Sequence, residues 1–490
     1  MSVLTGTDVS GLSATDLGRV HFIGVGGVGM SGIARILLAR GVPVSGSDAR
    51  EWPALDALRA LGAEIHIGHS AENVETADTV VFSSAIKPGN AELDEARRRG
   101  VRVLHRSEAL VAVMGGHRVL AISGTNGKTT TTSMLTTVLQ ACGADPSFAI
   151  GGELSEAGSN AHHGTGEYFV AEADESDRSF LLYRPHVAVV TNVEADHLET
   201  YGTLEAIEDA FVEFADHVEP GGFLVCCADD AGAARLAGHA RANGVTVYTY
   251  GESEDADLRL LALESGAVGA SYRAVLDGIE LGPVELPVPG RHIALNSAAA
   301  LLTAVRLGLS ADGARAALAS YGGVRRRFEL KGTAAGVRVY DDYAYHPTSM
   351  SVQLSTVREV AAPGRVVVAF QPYRFSRTTA FLPGIAAALG LADEVVVMEV
   401  YGPGEEREPG EGGVALHAAV PLPEERKVFV PSWSEVAAEV ARRAAPGDVV
   451  VTMGAPPIAM LGEEIMVALE ERVAPGETAS SRTAGPEPAR

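Results

Sequence analysis

The sequence predicts an α/β protein of three domains. Three observations carry that expectation. The chain has 490 residues, enough for about three domains of ordinary size. Short apolar runs alternate with helix-compatible stretches along most of its length, the pattern of parallel, doubly wound sheets. Two of those runs end in glycine loops that lead into helices, at Gly24 to Gly29 and at Gly124 to Gly127. Glycine there lets backbone N–H groups approach a phosphate at a helix N-terminus.

Composition narrows the partners. With 39 Lys and Arg against 63 Asp and Glu, the formal charge is −24. Such a balance argues against a nucleic-acid surface, which needs clustered positive charge, while local glycine loops still bind anionic small ligands. Cys142, Cys226 and Cys227 make no disulfide framework, and the adjacent pair in an apolar run reads as buried thiols. No cationic and apolar leader opens the chain, and no apolar run approaches the roughly 18 residues of a membrane span. A soluble, cytoplasmic protein without a membrane partner is expected. The polar, proline-bearing stretch 474–490 is expected to be disordered.

The first block, 1–114, offers strands at Arg19–Ile23, Val42–Ser45, Ala63–Ile67, Thr79–Phe82 and Val101–Leu104, with a helix over Glu92–Arg99. The second, 115–322, offers Val119–Ile122, Tyr168–Ala171 and Val187–Thr191. A more β-rich excursion follows over 245–288, then an Ala-rich helix beginning near Asn296. The third, 323–473, offers Val337–Tyr340, Arg365–Phe370, Glu394–Met398 and Asp448–Thr452. Near-continuous apolar runs of this kind suit strands buried on both faces.

Ser123-Gly124-Thr125-Asn126-Gly127-Lys128-Thr129-Thr130 is the most specific chemical signal. Lys128 can reach β- and γ-phosphates, and a threonine hydroxyl can hold Mg²⁺. The general phosphate-loop pattern would put glycine at position 122, where Ile122 stands, so this is a shortened form. Gly24-Val25-Gly26-Gly27-Val28-Gly29 satisfies G-x-G-x-x-G after a strand, with a helix opening at Met30-Ser31-Gly32. Asp48 ends the next strand, where a carboxylate can accept from a ribose hydroxyl. By itself this fingerprint signals a nucleotide ligand, NAD being the usual reading, or glycines needed only for packing. Glu172-Ala173-Asp174-Glu175-Ser176-Asp177 places carboxylates at a strand end, where a phosphate-bound Mg²⁺ takes oxygen ligands. His197 closes Asn192-Val193-Glu194-Ala195-Asp196-His197 and suits a second cation or a substrate carboxylate. His292 and Asn296 can contact a base, though Asn296 also suits a first-turn capping role. In the third block, Arg327, Asp342, Arg374 and Arg377 lie in strand-end strings suited to an anionic substrate and an amino acid.

Taken in order, these strings resemble the Mur ligase family, and within it the ligases that act on UDP-N-acetylmuramate and L-alanine. The resemblance runs from about Gly18 to Gly462 and includes Arg326-Arg327-Phe328-Glu329, Asp341-Asp342-Tyr343-Ala344 and Gln371-Pro372-Tyr373-Arg374-Phe375-Ser376-Arg377-Thr378. It implies three domains: a Rossmann-like UDP-sugar-binding domain (1–114), a central P-loop ATPase-type domain (115–322) and a Rossmann-like domain on the amino-acid side (323–473). The implied reaction is ATP-driven amide formation through an acyl phosphate, with Mg²⁺, by a monomer or homodimer. By resemblance the first fingerprint holds a UDP-sugar through Gly26, Gly27, Gly29, Met30, Ser31, Asp48 and Ser84. Gly124, Thr125, Asn126, Gly127, Lys128 and Thr129 take phosphates, and Thr130 and Glu172 take the first Mg²⁺. His197 serves a second Mg²⁺ or the substrate, His292 and Asn296 lie at adenine, and Arg327, Asp342, Arg374 and Arg377 act from the third block.

The chain departs from the family at several positions. Asn126 stands where histidine is usual, and Ile293 where asparagine is frequent. Tyr345 and Tyr373 replace histidines, Ser349 replaces glutamate, and Met453-Gly454-Ala455-Pro456-Pro457 replaces Met-Gly-Ala-Gly-Asp. Most of these cluster on the amino-acid side. They leave open a related amide ligase for a different amino acid or acceptor carboxylate, and, more remotely, an inactive UDP-sugar-binding protein.

Overall fold

Strands form where apolar residues are buried on both faces, and three sheets result. The computed structural model describes residues 9, 11–152, 159–407, 410–454 and 457–473. The stretch expected to be disordered, 474–490, and Ala455 and Pro456 lie outside the described residues.

The first sheet holds β1 (Val20–Ile23), β2 (Val44–Asp48), β3 (Glu64–Ile67), β4 (Thr79–Phe82) and β5 (Arg102–His105). All pairings are parallel, in the order β3-β2-β1-β4-β5. The strand order reverses at β1, so a crevice opens at its carboxyl end, where open α/β sheets bind ligands. β1 and β4 are buried throughout, whereas the edge strand β3 is half exposed.

The second sheet holds β6 (Arg118–Ser123), β7 (Ser147–Ala149), β8 (Ala161–His162), β9 (Tyr168–Glu172), β10 (Val187–Val190), β11 (Phe223–Cys227), β12 (Val247–Gly251), β13 (Leu258–Gly266), β14 (Gly269–Leu276) and β15 (Ile279–Leu286). Its order is β15-β14-β13-β12-β11-β10-β6-β9-β7-β8. β6 lies between β10 and β9, all parallel, which makes its carboxyl end a second switch point. The β-rich excursion is the antiparallel run β13–β15. Cys226 and Cys227 are buried in β11, as their apolar setting predicts.

Both sheets belong to one compact unit ending at Arg325; a second unit starts at Arg326. The second unit holds β16 (Glu329–Ala334), β17 (Val337–Asp342), β18 (Val366–Gln371), β19 (Glu394–Met398), β20 (Lys427–Val430) and β21 (Val449–Gly454). Its order is β16-β17-β21-β18-β19-β20, with only β16 antiparallel. Apolar clusters cover both faces of its central strands. The α/β class and the three sheets agree with the sequence reading.

Some boundaries move for physical reasons. β2 starts at Val44 because Pro43 has no N–H to donate; pairing with β1 then carries it to Ser47 and pairing with β3 to Asp48. The Ala-rich helix starts at Arg291, not near Asn296, with Gly290 as its N-cap at φ 122°. Asn296 therefore sits in the second turn and is not a capping residue. The fingerprint helix opens at Val28, two residues before Met30.

Candidate active site

The carboxyl ends of β6, β9 and β10 lie side by side, because those strands are neighbours in parallel register. The phosphate loop hangs from β6, and Lys128 is the first residue of the helix Lys128–Ala141. Two of its glycines are obligatory. Gly124 (φ 125°) has no room for a side chain, since a Cβ would lie 2.2 Å from Thr191 Oγ1. Gly127 (φ 88°) would place a Cβ 2.7 Å from Asn296 Oδ1.

The loop is pinned from β10. Asn126 N–H donates to Asn192 Oδ1 at 2.8 Å, and its carbonyl accepts from Asn192 Nδ2 at 2.9 Å and Thr191 Oγ1 at 2.6 Å. In the sequence Asn192 is only the first residue of the string that His197 closes. Its role arises across the sheet edge, where spacing along the chain carries no signal.

Glu172 ends β9 and accepts from the Thr129 hydroxyl at 3.0 and 3.1 Å and from Gly151 N–H at 2.9 Å. The hydroxyl set against this carboxylate is thus that of Thr129, one residue before the Thr130 expected there. The reason is helical phase: in the turn that Lys128 opens, its next residue faces β9. Thr130 is buried. Thr129 and Glu172 fit Mg²⁺, which is held by one or two protein oxygens while phosphates and water complete the shell. No group of three or more His, Cys, Asp or Glu able to hold a metal occurs among the described residues.

His197 precedes a short helix, at φ 50°, with Nε2 3.7 Å from Asp196 Oδ2 and Nδ1 3.5 Å from Glu199 Oε1. His292 lies in the first turn of the helix Arg291–Arg306, and burial pulls its pKa down to about 4, so it is neutral at pH 7. Its Nδ1 is buried with no hydrogen-bond partner among the described residues, leaving a ring nitrogen for a base. Asn296 stands one turn on, against Gly127.

The first fingerprint is built in the same way. Gly26 N–H donates to Asp48 Oδ2 at 2.9 Å, and Trp52 Nε1 donates to Asp48 Oδ1 at 3.0 Å. Asp48 thereby closes the glycine turn from the next strand. Met30 and Ser31 are buried, and the Ser31 hydroxyl donates within its helix to the Val28 carbonyl at 3.1 Å. Ser84 lies 3.1 Å from His105 Nε2, in the loop after β4. Burial pulls His105 down to about 4. Arg106, unmarked in the sequence reading, brings its guanidinium to this loop: a Cβ on Gly29 would lie 3.0 Å from Nη1. Its Nη2 is 3.8 Å from Asp174 Oδ2. Trp52 and Arg106 reach the loop only through tertiary packing, which the linear motif does not encode.

The third-block residues lie in the second unit. Asp342 ends β17 and accepts from Phe328 N–H and Ala344 N–H, both at 2.8 Å. Burial raises its carboxyl to about 6, against the pull of Arg327 and these two donors. The Arg327 guanidinium lies 5.2 Å from the Tyr343 ring centre. Tyr343, Tyr345, Tyr373 and Tyr401 follow one another ring to ring at 5.4, 5.7 and 6.3 Å. Arg374 lies over Tyr373 at 5.5 Å and Arg377 over Tyr345 at 4.9 Å. The tyrosines that depart from the family thus form one aromatic row with both arginines. Ser349 donates to the His346 carbonyl at 2.9 Å, and Pro457 precedes a short 3-10 helix.

Comparisons with known proteins agree with this architecture. The Mur ligase family catalytic domain matches residues 19–118, the Mur ligase middle domain 122–304, and the Mur ligase glutamate ligase domain 326–456. A UDP-N-acetylmuramate–L-alanine ligase of Salinispora arenicola is 62% identical over 95% of this chain and 91% of its own length. One of Acidothermus cellulolyticus is 55% identical, covering 93% and 96%. Among solved structures, the UDP-N-acetylmuramate–alanine ligase of Thermotoga maritima superposes with a TM-score of 0.77 at 28% identity, covering 93% of this chain and 99% of that one. Three domain models in order and relatives matched over nearly their full length establish that this chain belongs to the Mur ligase family.

Proposed function

We propose that the chain joins L-alanine to UDP-N-acetylmuramate in peptidoglycan precursor synthesis, with ATP as the energy source. The observation that carries this reading is the grouping of Lys128, Thr129 and Glu172 at one sheet edge, in a chain with a separate glycine fingerprint on another sheet. One loop suits ATP and the other a UDP-sugar; a nicotinamide dehydrogenase would leave the first without a purpose. The names of the relatives support the same substrates.

The chemistry starts from two anions that must meet. The lactyl carboxylate of UDP-N-acetylmuramate attacks the γ-phosphorus of ATP, giving an acyl phosphate and ADP. The amine of alanine then attacks the acyl carbon, a proton leaves the nitrogen, and phosphate departs. Lys128 suits the first step because it stays charged: burial works against its charge, but Glu175, Asp174 and Glu172 outweigh it and push its pKa up to about 12. Thr129 and Glu172 would hold Mg²⁺, which supplies further neutralisation of the β- and γ-phosphates. His197, in the loop after the neighbouring strand, is assigned to the substrate carboxylate or a second cation. Neutral His292, with Asn296, suits adenine. Asp48 and Arg106 suit the ribose and diphosphate of the UDP-sugar. Arg327, Asp342, Arg374 and Arg377 are assigned to the substrates from the second unit. Positioning and charge neutralisation are the terms such a site contributes most.

The same reading divides the chain at 114 and 322, for UDP-sugar, ATP and amino acid in turn; the bounds of the family matches, 19–118, 122–304 and 326–456, fall close to these. It places the protein in the cytoplasm as a monomer or homodimer. Among the described residues, no helix is long and apolar enough to cross a membrane. The test is phosphate release from ATP, Mg²⁺ and UDP-N-acetylmuramate with each common amino acid. Release that depends on L-alanine is expected; release with another amino acid alone, or none, would overturn the reading.

A further inference from the structure

Glu175 touches no substrate in the chemistry above, yet it pairs directly with the ammonium of the phosphate loop. It lies three residues past Glu172, and its side chain is only 4% exposed. Both carboxylate oxygens are 2.9 Å from Lys128 Nζ. The same ammonium donates to the Gly124 carbonyl at 2.7 Å and the Thr125 carbonyl at 3.3 Å. An ammonium has three protons, so all of its donors are committed within the protein. Glu175 is held from behind: its own carbonyl accepts from the Tyr201 hydroxyl at 2.6 Å and from Arg178 N–H at 3.1 Å.

We propose that Glu175 is a latch on the phosphate loop, an internal stand-in for a nucleotide phosphate that holds Lys128 until an incoming polyphosphate displaces it. The inference rests on the reading of this loop as the ATP site. A phosphate that reaches Lys128 must replace one of three acceptors. Two are loop carbonyls, fixed by the same backbone that forms the cradle. The third is a side chain able to rotate away, and exchanging it for phosphate swaps one anion for another. Burial and the nearby Asp174 also keep the Glu175 carboxyl above the ordinary carboxylate range, against the pull of Lys128, so it is a weaker partner than a phosphate. A buried ammonium stripped of its counter-ion is costly, which keeps the latch closed against ligands that bring no anion to Lys128. The latch also lowers apparent nucleotide affinity by the fraction of time it is shut.

The experiment is calorimetric titration of the full chain with ADP and Mg²⁺. Glu175→Gln keeps the shape and removes the charge that holds Lys128. Asp174→Asn removes an equal charge from a neighbour that does not bond Lys128, and so controls for the general field. The latch predicts that Glu175→Gln binds ADP about tenfold more tightly than the parent, with Asp174→Asn well short of that gain. Glu175→Gln binding no more tightly than Asp174→Asn, or more weakly than the parent, would overturn it. Should Glu175→Gln fail to fold, Glu175→Asp, whose carboxylate is one methylene shorter, takes its place with the same expected direction and the same contrary result. A parent chain that binds no ADP would instead defeat the ATP-site reading.

Discussion

At the scale of single residues, the site separates into contiguous and convergent parts. The phosphate loop was legible because its glycines, Lys128 and the threonines sit in one string whose spacing is the mechanism. Asn192, Arg106 and Trp52 were not, because each reaches its loop across a strand edge, and the carboxylate string gave no sign that Glu175 pairs with Lys128. The exchange of Thr130 for Thr129 shows a finer limit: the motif supplies the hydroxyls, and helical phase decides which one meets Glu172. Lys128→Ala is expected to abolish turnover, by at least about a thousandfold, while leaving UDP-sugar affinity nearly unchanged, since the two loops are separate. Equilibrium binding of UDP-N-acetylmuramate checks the second half; loss of both would contradict two distinct nucleotide sites. Thr129→Ala should raise the Mg²⁺ concentration needed for half-maximal rate, and Thr130→Ala should not. A Mg²⁺ titration of both variants decides between them.

At the scale of elements, strands were legible to within a few residues because burial on both faces leaves near-continuous apolar runs. Helix starts were less so. The helix Arg291–Arg306 begins five residues before Asn296 because Gly290, in a backbone conformation that only glycine readily adopts, caps it. The polar interior of the first sheet left no motif. Glu92, fully buried at the start of the helix Ala91–Arg99, accepts from Ser47 at 2.6 Å, His69 at 2.8 Å and Asn73 at 2.6 Å. Burial opposes its charge, but the His21 ring, with Nε2 3.5 Å away, and hydrogen bonds from Ser47, Asn73 and His69 prevail and bring its pKa to about 2. These partners span β1, β2 and the loop after β3, so Glu92 ties strands to helix. Glu92→Ala should destabilise the chain by about 3 kcal/mol, the cost of breaking a buried network. Thermal and denaturant unfolding measure it; a loss below about 1 kcal/mol would show that the network is not what holds these elements.

At the scale of the molecule, the two compact units respond oppositely to acid. Burial depresses His105 and His292 of the first unit to about 4. Unfolding lets them bind protons from about pH 6.5 downward, so the stability they contribute is lost as pH falls from about 6.5 to 4. Glu175 of the same unit, raised by burial, runs the other way and offsets one of the two. Asp342 of the second unit is raised to about 6. Its contribution is complete below about 3.8 and lost as pH rises through about 6. The chain has two tryptophans, Trp52 in the first unit and Trp433 in the second. With one replaced by phenylalanine at a time, fluorescence melts between pH 7 and 5 should fall more steeply for Trp52 than for Trp433; equal slopes would contradict the assignment. The three-domain plan was legible because each glycine loop and strand-end string marks a sheet's carboxyl edge, the place where such folds bind ligands. What the plan is for turns on the bond that ATP helps to make. If the lactyl carboxylate is activated as an acyl phosphate, carboxylate labelled with ¹⁸O must give up one labelled oxygen to inorganic phosphate when L-alanine is joined. Turnover of labelled UDP-N-acetylmuramate followed by mass analysis of the phosphate should therefore find one ¹⁸O per phosphate released, and phosphate without label would contradict the account.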